Sequence, residues 1–331
     1  MNSFSYNKAY DVAEAVADIQ EHEGGKFIAG GTNLLDLMKE NVMKPDHLTD
    51  INRLDLADIT ENEDGGLKLG ALVTNADTAW NDQVEQRYPL LSKAILAGAS
   101  PQLRNMATNG GNLFQRTRCY YFYDTATACN KREPGSGCSA INGINRIHAI
   151  LGTSEHCIAT HPSDMCVALA ALDAKVNVTG PQGDRTIDFG DFHRLPGNTP
   201  HLDNNVSPGE LVTSIDLPPS NFKRNVFYLK VRDRQSYAFA LVSVAAALEL
   251  EGDVIKDIRV ALGGVAHKPW RRRDLEENYV GKVASTENFR ELAETMLTGA
   301  IGFGGNTFKI ELAKTAIVRA LNEALKSGEN L

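Results

Sequence analysis

Apolar positions along the chain follow helical spacing in some segments and form short continuous or alternating runs in others. Helical spacing predicts helices at residues 11–22, 34–39, 88–99, 165–172, 287–297 and 308–325. Short apolar runs predict strands at residues 26–29, 48–51, 67–72, 175–179, 210–217, 226–231, 242–250 and 255–262. Strands and helices alternate before Pro218-Pro219, and strands followed by helices come after it. The pattern therefore predicts an α+β protein with a separate C-terminal domain.

Length and charge narrow the function classes. A chain of 331 residues is long for one hydrophobic core, so more than one domain is expected. The formal net charge is −8, and the one dense basic run, Arg271-Arg272-Arg273, is followed at once by acidic residues. That balance predicts a solvated surface and excludes a nucleic-acid-binding protein. No apolar run approaches the ~20 residues of a membrane span.

The first residues, M-N-S-F-S-Y-N-K-A-Y, lack the basic-then-apolar order of a signal peptide. Their pattern predicts a cytoplasmic protein, unless the chain is exported together with a partner that carries a signal.

Two glycine segments are the first candidate site. A predicted strand runs through Ala29 into Gly30-Gly31-Thr32-Asn33, and a predicted helix follows. Glycine lets a phosphate approach the main chain closely, and the Thr32 hydroxyl adds a donor. The segment matches neither G-x-G-x-x-G nor the P-loop, so by itself it is also compatible with a plain structural turn. A second turn of the same character is predicted at residues 108–112, and both could converge on one diphosphate.

Four of the five cysteines gather in a segment without helical or strand periodicity. Cys119, Cys129, Cys138 and Cys157 are spaced C-x9-C-x8-C-x18-C. Two disulfides, a structural zinc ion and a 4Fe–4S cluster all remain open on these residues, although the close C-x2-C pairs usual for zinc are missing. The fifth, Cys166, lies in an apolar helix and is expected to be a small buried side chain.

Several segments together resemble a known family. In order, they are F-I-A-G-G-T-N-L-L-D-L-M-K, Q-L-R-N-M-A-T-N-G-G-N-L, H-P-S-D-M-C-V-A-L-A-A-L-D-A and R-V-A-L-G-G-V-A-H-K-P-W. They resemble the FAD-binding medium subunit of the molybdenum hydroxylases, the family of xanthine dehydrogenase and carbon monoxide dehydrogenase. K-V-R-D-R-Q-S-Y-A-F-A-L-V-S-V-A and the cysteine segment are most similar to the flavin subunits of bacterial periplasmic aldehyde oxidoreductases.

The resemblance implies a fold and its boundaries. A FAD-binding domain of the PCMH type would occupy residues 1–220, with mixed α/β subdomains at about 1–55 and 56–220. An insertion would lie at about 114–160, and a C-terminal α+β domain, an antiparallel sheet with helices, at 221–331.

The resemblance also implies which residues contact FAD. The diphosphate loop would be Lys26, Phe27, Ile28, Ala29, Gly30, Gly31, Thr32, Asn33 and Leu34, with a second wall from Thr108, Gly111 and Asn112. Ser163 and Asp164 would bond ribityl or ribose hydroxyls, and Lys230 would lie near the isoalloxazine ring. The family usually has Asp at Asn33 and a branched aliphatic residue at Asn109, and neither difference removes a main-chain donor.

For the cysteines, the resemblance implies a 4Fe–4S cluster ligated by Cys119, Cys129, Cys138 and Cys157. His148, His156 and His161 are then expected to be surface or hydrogen-bonded side chains rather than ligands. No general acid, base or nucleophile is predicted in this chain.

The implied function is electron transfer in a molybdenum-containing aldehyde oxidoreductase. A large subunit with a molybdenum cofactor would oxidise the aldehyde, and a small 2Fe–2S subunit would pass electrons to this chain's FAD, which would deliver them to an external acceptor. The three chains would form a heterotrimer, located in the periplasm by export with a signal-bearing partner. A stand-alone flavoprotein oxidase or dehydrogenase, and a disulfide-braced assembly subunit without flavin, are the alternatives.

Overall fold

A computed structural model describes residues 1–329 of the chain. The C-terminal domain is predicted to reach residue 331, and its last two residues lie outside that range. The helices are α1 (Val12–Gln20), α2 (Leu34–Lys39), α3 (Asn75–Ala79), α4 (Asp82–Arg87), α5 (Pro89–Ala97), α6 (Pro101–Arg104), α7 (Asn109–Leu113), α8 (Tyr120–Tyr123), α9 (Asp164–Ala171), α10 (Phe189–Phe192), α11 (Arg273–Glu276), α12 (Thr286–Met296) and α13 (Phe308–Glu329). A 3-10 turn covers Glu277–Tyr279.

The strands form three sheets. They are β1 (Ser5–Lys8), β2 (Lys26–Ile28), β3 (His47–Asp50), β4 (Ile59–Glu61), β5 (Leu67–Gly70), β6 (Lys175–Gly180), β7 (Gly183–Asp188), β8 (Leu211–Leu217), β9 (Val226–Val231), β10 (Val242–Glu251), β11 (Val254–Gly263) and β12 (Trp270–Arg271). The first sheet is parallel, in the order β1-β3-β2. The other two are antiparallel, in the orders β4-β5-β8-β6-β7 and β12-β11-β10-β9. Mixed helices and sheets followed by an antiparallel sheet with helices confirm the predicted α+β class.

The sequence of the long strand β10 is almost continuously apolar because both faces of the strand are buried. Val242, Val244 and Leu248 face one way and pack against α12 and α13. Ala245 and Ala247 face the other way and join the core built on α5, α9 and the five-stranded sheet. Since side chains alternate along a strand, a strand covered on both faces loses the polar positions that a half-exposed strand keeps. The four-stranded sheet is therefore the layer shared by the two large cores.

An ion-pair network joins the two halves of the chain, and it corrects the expectation that the basic run is a solvated surface. The Arg271 side chain is 8% exposed, and its guanidinium contacts Asp173 at 2.7 Å and Glu276 at 2.8 Å. Asp173 follows α9, whereas Glu276 ends α11. Arg272 and Arg273 are more exposed, with side chains at 42% and 63%, so only part of the run is solvated.

The second glycine segment differs from its prediction. Residues 109–113 form the one-turn helix α7, capped by the Thr108 hydroxyl, which accepts from the Gly111 amide at 3.2 Å. A Cβ on Gly110 would lie 3.0 Å from the Ala71 Cβ, so this glycine allows α7 to pack closely against the chain after β5. Glycine here serves close packing, whereas composition alone suggested an open turn.

The predicted insertion has little regular structure, as its sequence indicates. Between α7 and α9 it contains only α8 and two isolated bridges, Cys129 with Cys138 and Ser154 with Cys157. Its second half is fastened to the C-terminal domain by main-chain bonds, such as Ile150 N to Val265 O at 2.9 Å. No helix within residues 1–329 is both long and apolar enough to cross a bilayer.

Candidate cofactor-binding site

The two glycine segments face each other across a cavity of about 500 Å³. The structure brings eleven of the predicted cofactor residues to its wall: Lys26, Phe27, Ile28, Ala29, Gly30, Gly31, Thr32, Asn33, Leu34, Thr108 and Gly111. The first glycine segment follows strand β2 and precedes helix α2, so the strand, turn and helix predicted there are confirmed. The convergence of both segments, which spacing alone could not establish, is a feature of the fold.

Close contact between main chains holds the two segments together. A Cβ placed on Gly30 would lie 1.7 Å from the Met106 carbonyl oxygen and 2.7 Å from its carbon, which no real side chain tolerates. Gly31 has a φ of 69°, in the left-handed region that favours glycine. The pair is therefore required by the backbone geometry of the cavity wall, whatever the cavity binds.

Asn33 supplies a donor without a protein partner. Its side-chain oxygen accepts from the Arg116 amide at 2.9 Å, while its Nδ2 is buried and bonds to nothing in the described part of the chain. A buried amide N–H without a partner costs free energy unless something fills the cavity beside it. Because Asn33 lines the cavity, an acceptor-rich ligand such as a diphosphate fits this donor.

Four other predicted residues lie outside that cavity wall and bond to one another. Ser163 Oγ donates to Asn112 Oδ1 at 2.5 Å and caps α9 by accepting from the Cys166 amide at 3.1 Å. Asp164 pairs with Lys230 Nζ at 2.7 Å, with both side chains at least nine-tenths buried. Lys230 also donates to the Ala97 carbonyl at 3.0 Å. Their predicted contacts with ribose, ribityl or ring atoms stay a prediction.

Sequence reasoning missed the opposite wall of the cavity. Arg116 and the segment 201–212 line it, and Arg116 Nε donates to Asp203 at 2.7 Å. The buried Lys131 amine also pairs with Asp203. Burial opposes ionisation of Asp203, but the Lys131 and Arg116 charges outweigh it and lower the pKa of this carboxyl. The turn-rich sequence D-N-N-V-S-P-G-E signals a loop, but nothing local signals that this loop reaches the glycine segments.

The four clustered cysteines line a second pocket, and Lys131 belongs to its wall. All five cysteines of the chain are free thiols, so the disulfide alternative is wrong in this structure. Four thiolates around one zinc ion would place their sulfurs about 3.8 Å apart, from a Zn–S bond of about 2.3 Å. Among the described residues, no three sulfurs of this pocket lie within 4.8 Å of one another.

Burial opposes ionisation of the Cys119 and Cys157 thiols when no metal is bound. It raises the pKa of Cys119 to about 12 and that of Cys157 to about 11. Both sulfurs have a nitrogen atom within hydrogen-bond distance: the Ala159 amide donates to Cys157 at 3.4 Å, and His148 Nε2 lies 3.1 Å from Cys119. Donors aimed at a sulfur stabilise the thiolate form that metals bind. Cys166 is fully buried in α9, as expected.

Two family models match the chain. Residues 2–220 match the FAD binding domain in molybdopterin dehydrogenase, and residues 227–324 match the CO dehydrogenase flavoprotein C-terminal domain. The chain is 50% identical over 325 residues to the aldehyde oxidoreductase FAD-binding subunit PaoB of Escherichia coli K12, covering 98% of this chain and 99% of that protein. The chain belongs to the molybdopterin dehydrogenase FAD-binding family.

More distant relatives span the same length. The chain is 28% identical over 324 residues to the glyceraldehyde dehydrogenase medium chain of Sulfolobus acidocaldarius, covering 97% of this chain and 98% of that protein. Its fold is similar to that of carbon monoxide dehydrogenase from Hydrogenophaga pseudoflava lacking the Mo-pyranopterin moiety of the molybdenum cofactor, with a TM-score of 0.77, 25% identity and 99% of both chains covered. The predicted family and fold are confirmed.

Asn109 stands where the resemblance implies a branched aliphatic residue, and the structure shows what its side chain contacts. Its side chain is fully buried, and its oxygen accepts from Thr78 Oγ1 at 3.0 Å and Asn75 Nδ2 at 3.2 Å. Its Nδ2 donates to Thr78 Oγ1 at 2.8 Å. Asn109 thus belongs to a buried polar network whose members satisfy one another's hydrogen bonds.

Two buried histidines lead us to expect that this chain loses stability as the pH falls. Burial lowers the pKa of His193 to about 4 and that of His267 to about 3. The unfolded chain binds these protons near pH 6.5, so between about pH 6.5 and 4 the folded state holds fewer protons and the free energy of unfolding falls as pH falls. For His193→Gln we expect the slope between pH 6.5 and 5 to be smaller by up to about 1.4 kcal/mol per pH unit.

Urea unfolding at several pH values measures that slope. The control is His201→Gln, which removes an exposed imidazole. A His193→Gln slope equal to the wild-type slope would show that this buried imidazole is not responsible.

Proposed function

We propose that this chain is the FAD-binding electron-transfer subunit of a molybdenum-containing aldehyde oxidoreductase. The observation that carries the proposal is the cavity walled by two glycine segments, in a chain of the FAD-binding family that is 50% identical to an aldehyde oxidoreductase FAD-binding subunit. When bound, FAD takes up electrons one at a time and delivers them in pairs. The chain receives the electrons from partner subunits and passes them to an external acceptor.

The residues on the cavity wall would hold the flavin by its diphosphate. The main-chain N–H groups of Gly31, Thr32 and Asn33 lie in the turn between β2 and α2. N–H groups at the start of a helix stabilise a bound anion. The unpaired Asn33 Nδ2 adds a side-chain donor. Arg116 adds positive charge, and its ion pair with Asp203 keeps it in place. These groups bind and orient the cofactor, and none of them is proposed to donate or abstract a proton.

A 4Fe–4S cluster bound by Cys119, Cys129, Cys138 and Cys157 is the second part of the proposal. Support comes from the shared pocket and from its four free thiols. Such clusters are held by four Cys thiolates, and an irregular loop can wrap around them. Leu37 of α2 belongs to the same hydrophobic cluster as Cys119 and Phe122, and it also lines the flavin cavity. The cluster would thus lie behind one wall of the flavin site.

The partners proposed are a large molybdenum-cofactor subunit and a small 2Fe–2S subunit, which with this chain form a heterotrimer. The relative from Sulfolobus acidocaldarius is named a medium chain, which supports an assembly of unequal subunits. For localisation we propose the periplasm, reached by export with a signal-bearing partner. Cell fractionation that finds the tagged chain in the cytoplasm alone would contradict this part.

The complex isolated through an affinity tag on this chain tests the function. Under anaerobic conditions an aldehyde should bleach the visible absorption of the flavin, and an added acceptor should restore it. Bleaching by xanthine or carbon monoxide, with none by aldehydes, would contradict the aldehyde assignment. Aldehyde oxidation by this chain without a molybdenum subunit would contradict the electron-transfer role.

A further inference from the structure

One histidine of the insertion points directly at a cluster ligand. The side chain of His148 is buried, with the residue 1% exposed, and its Nε2 lies 3.1 Å from Cys119 Sγ. Cys119 itself is 7% exposed, so water does not compete for the sulfur. In the described chain, no other imidazole nitrogen is within hydrogen-bond distance of a cysteine sulfur of this pocket.

The main chain at His148 is clamped from the C-terminal domain. Its carbonyl accepts from Lys309 Nζ at 2.7 Å and from Asn306 Nδ2 at 3.3 Å, and its amide donates to Asn145 O at 3.0 Å. Lys309 and Asn306 are themselves fully buried. Such an anchor fixes the backbone from which the ring projects, and these buried hydrogen bonds would have to break before the backbone could move away from the cysteine pocket.

The contacts of the His148 ring indicate which of its two nitrogens carries the hydrogen. His148 Nδ1 is buried and has no partner within residues 1–329, so Nε2 makes the only polar side-chain contact. A thiolate accepts hydrogen bonds and cannot donate one. The tautomer with hydrogen on Nε2 is therefore the one that satisfies the contact, and the rings of Tyr120 and Tyr121, 6.5 and 6.4 Å away, flank it.

We propose that His148 raises the reduction potential of the iron–sulfur cluster by donating an N–H···S hydrogen bond to the Cys119 thiolate. This inference rests on the cluster proposed above. Reduction adds one electron, supplied by dithionite in the test below, and makes the thiolate-ligated centre more negative. A fixed hydrogen-bond donor stabilises the reduced, more negative cluster more than the oxidised cluster, so the reduction potential rises. No proton is transferred, because Nε2 keeps its hydrogen in both states. His148 is a positioning residue that acts through Cys119.

The test compares His148→Phe with wild type in the tagged complex. Iron and sulfide are first assayed, and the midpoint potential is then measured by dithionite titration followed by electron paramagnetic resonance. His148→Phe keeps a ring and loses the N–H, so its reduced-to-oxidised ratio at a fixed potential should fall about tenfold, a shift of about 59 mV to lower potential. His148→Gln, which retains an N–H donor, should recover part of the shift. His22→Phe, at a half-buried imidazole that lines neither pocket, should leave it unchanged.

The outcomes separate this inference from the cluster itself. A wild-type complex with no iron and sulfide beyond those of its 2Fe–2S subunit overturns the cluster proposal and this one with it. A full cluster with the same potential in wild type and His148→Phe overturns only the role of His148. If His148→Phe loses its iron, the role of His148 is tested instead on wild-type complex labelled with ¹⁵N-histidine. The reduced cluster should then show magnetic coupling to a histidine nitrogen, and absence of that coupling overturns the inference.

Discussion

Flavin is expected to be nearly absent from the Gly30→Ala chain, which should be purified with less than about a tenth of the FAD bound by wild type. The added methyl would lie 1.7 Å from the Met106 carbonyl oxygen, a main-chain atom that cannot rotate away. The two glycine segments must separate to admit it, and both are walls of the same cavity. A tenfold loss corresponds to about 1.4 kcal/mol of binding free energy, well within the cost of forcing atoms into a packed site.

The matched control for Gly30→Ala is Gly190→Ala. A Cβ at Gly190 meets nothing within 4 Å, and this glycine lies in α10, away from the cavity. Flavin per chain is measured from the absorption spectrum, and iron per chain reports whether the rest of the protein has folded. Full flavin occupancy in Gly30→Ala would contradict the placement of FAD between the glycine segments.

Replacing Cys129 by alanine should remove most of the iron and leave the flavin in place. Changes to groups that merely orient metal ligands already cost 10–100-fold in metal affinity, so loss of a ligand should cost at least about tenfold. Cys129 is 8% exposed and pairs through its main chain with Cys138, a contact that alanine preserves. It is absent from the wall of the flavin cavity, so FAD should stay.

Cys166→Ala separates loss of a ligand from loss of a thiol. Cys166 is fully buried in α9 and does not line the cysteine pocket. The Cys166→Ala chain should therefore retain iron and sulfide at the wild-type level. Equal iron content in the Cys129→Ala and Cys166→Ala chains, whether both retain it or both lose it, would contradict the proposed ligand set.

Helices and strands with strong local signals could be predicted from sequence. Helix α1 begins after Asp11, whose carboxylate accepts from the Glu14 amide at 2.8 Å, and its apolar spacing matches its buried face. Short elements such as β7 and α4 were missed, because β7 is mostly exposed and α4 buries only Val84. The helix α7 was predicted as a turn because its glycines suit a turn locally, whereas packing against Ala71 decides their conformation.

The candidate site could be predicted only where it is local. Each glycine segment and each cysteine could be singled out because its signal lies within a few residues. The contact of Asp203 with Arg116 and Lys131 joins residues 87 and 72 positions apart, and no periodicity encodes it. His148 and Cys119 likewise meet across 29 positions, and the main-chain carbonyl of His148 bonds Lys309, far along the chain in the C-terminal domain. The predicted pair Asp164 and Lys230 does meet, but outside the glycine cavity.

Anaerobic purification of the wild-type chain, followed by assays of FAD, iron, acid-labile sulfide and zinc, tests the central claim most directly. That claim is a flavin in the glycine cavity and a cluster on the four cysteines. The predicted result is about one FAD, four irons and four sulfides per chain, with no zinc above background. A chain with FAD and zinc, or with FAD and no metal, would contradict the cluster, and a chain with no flavin would contradict the function proposed for the family fold.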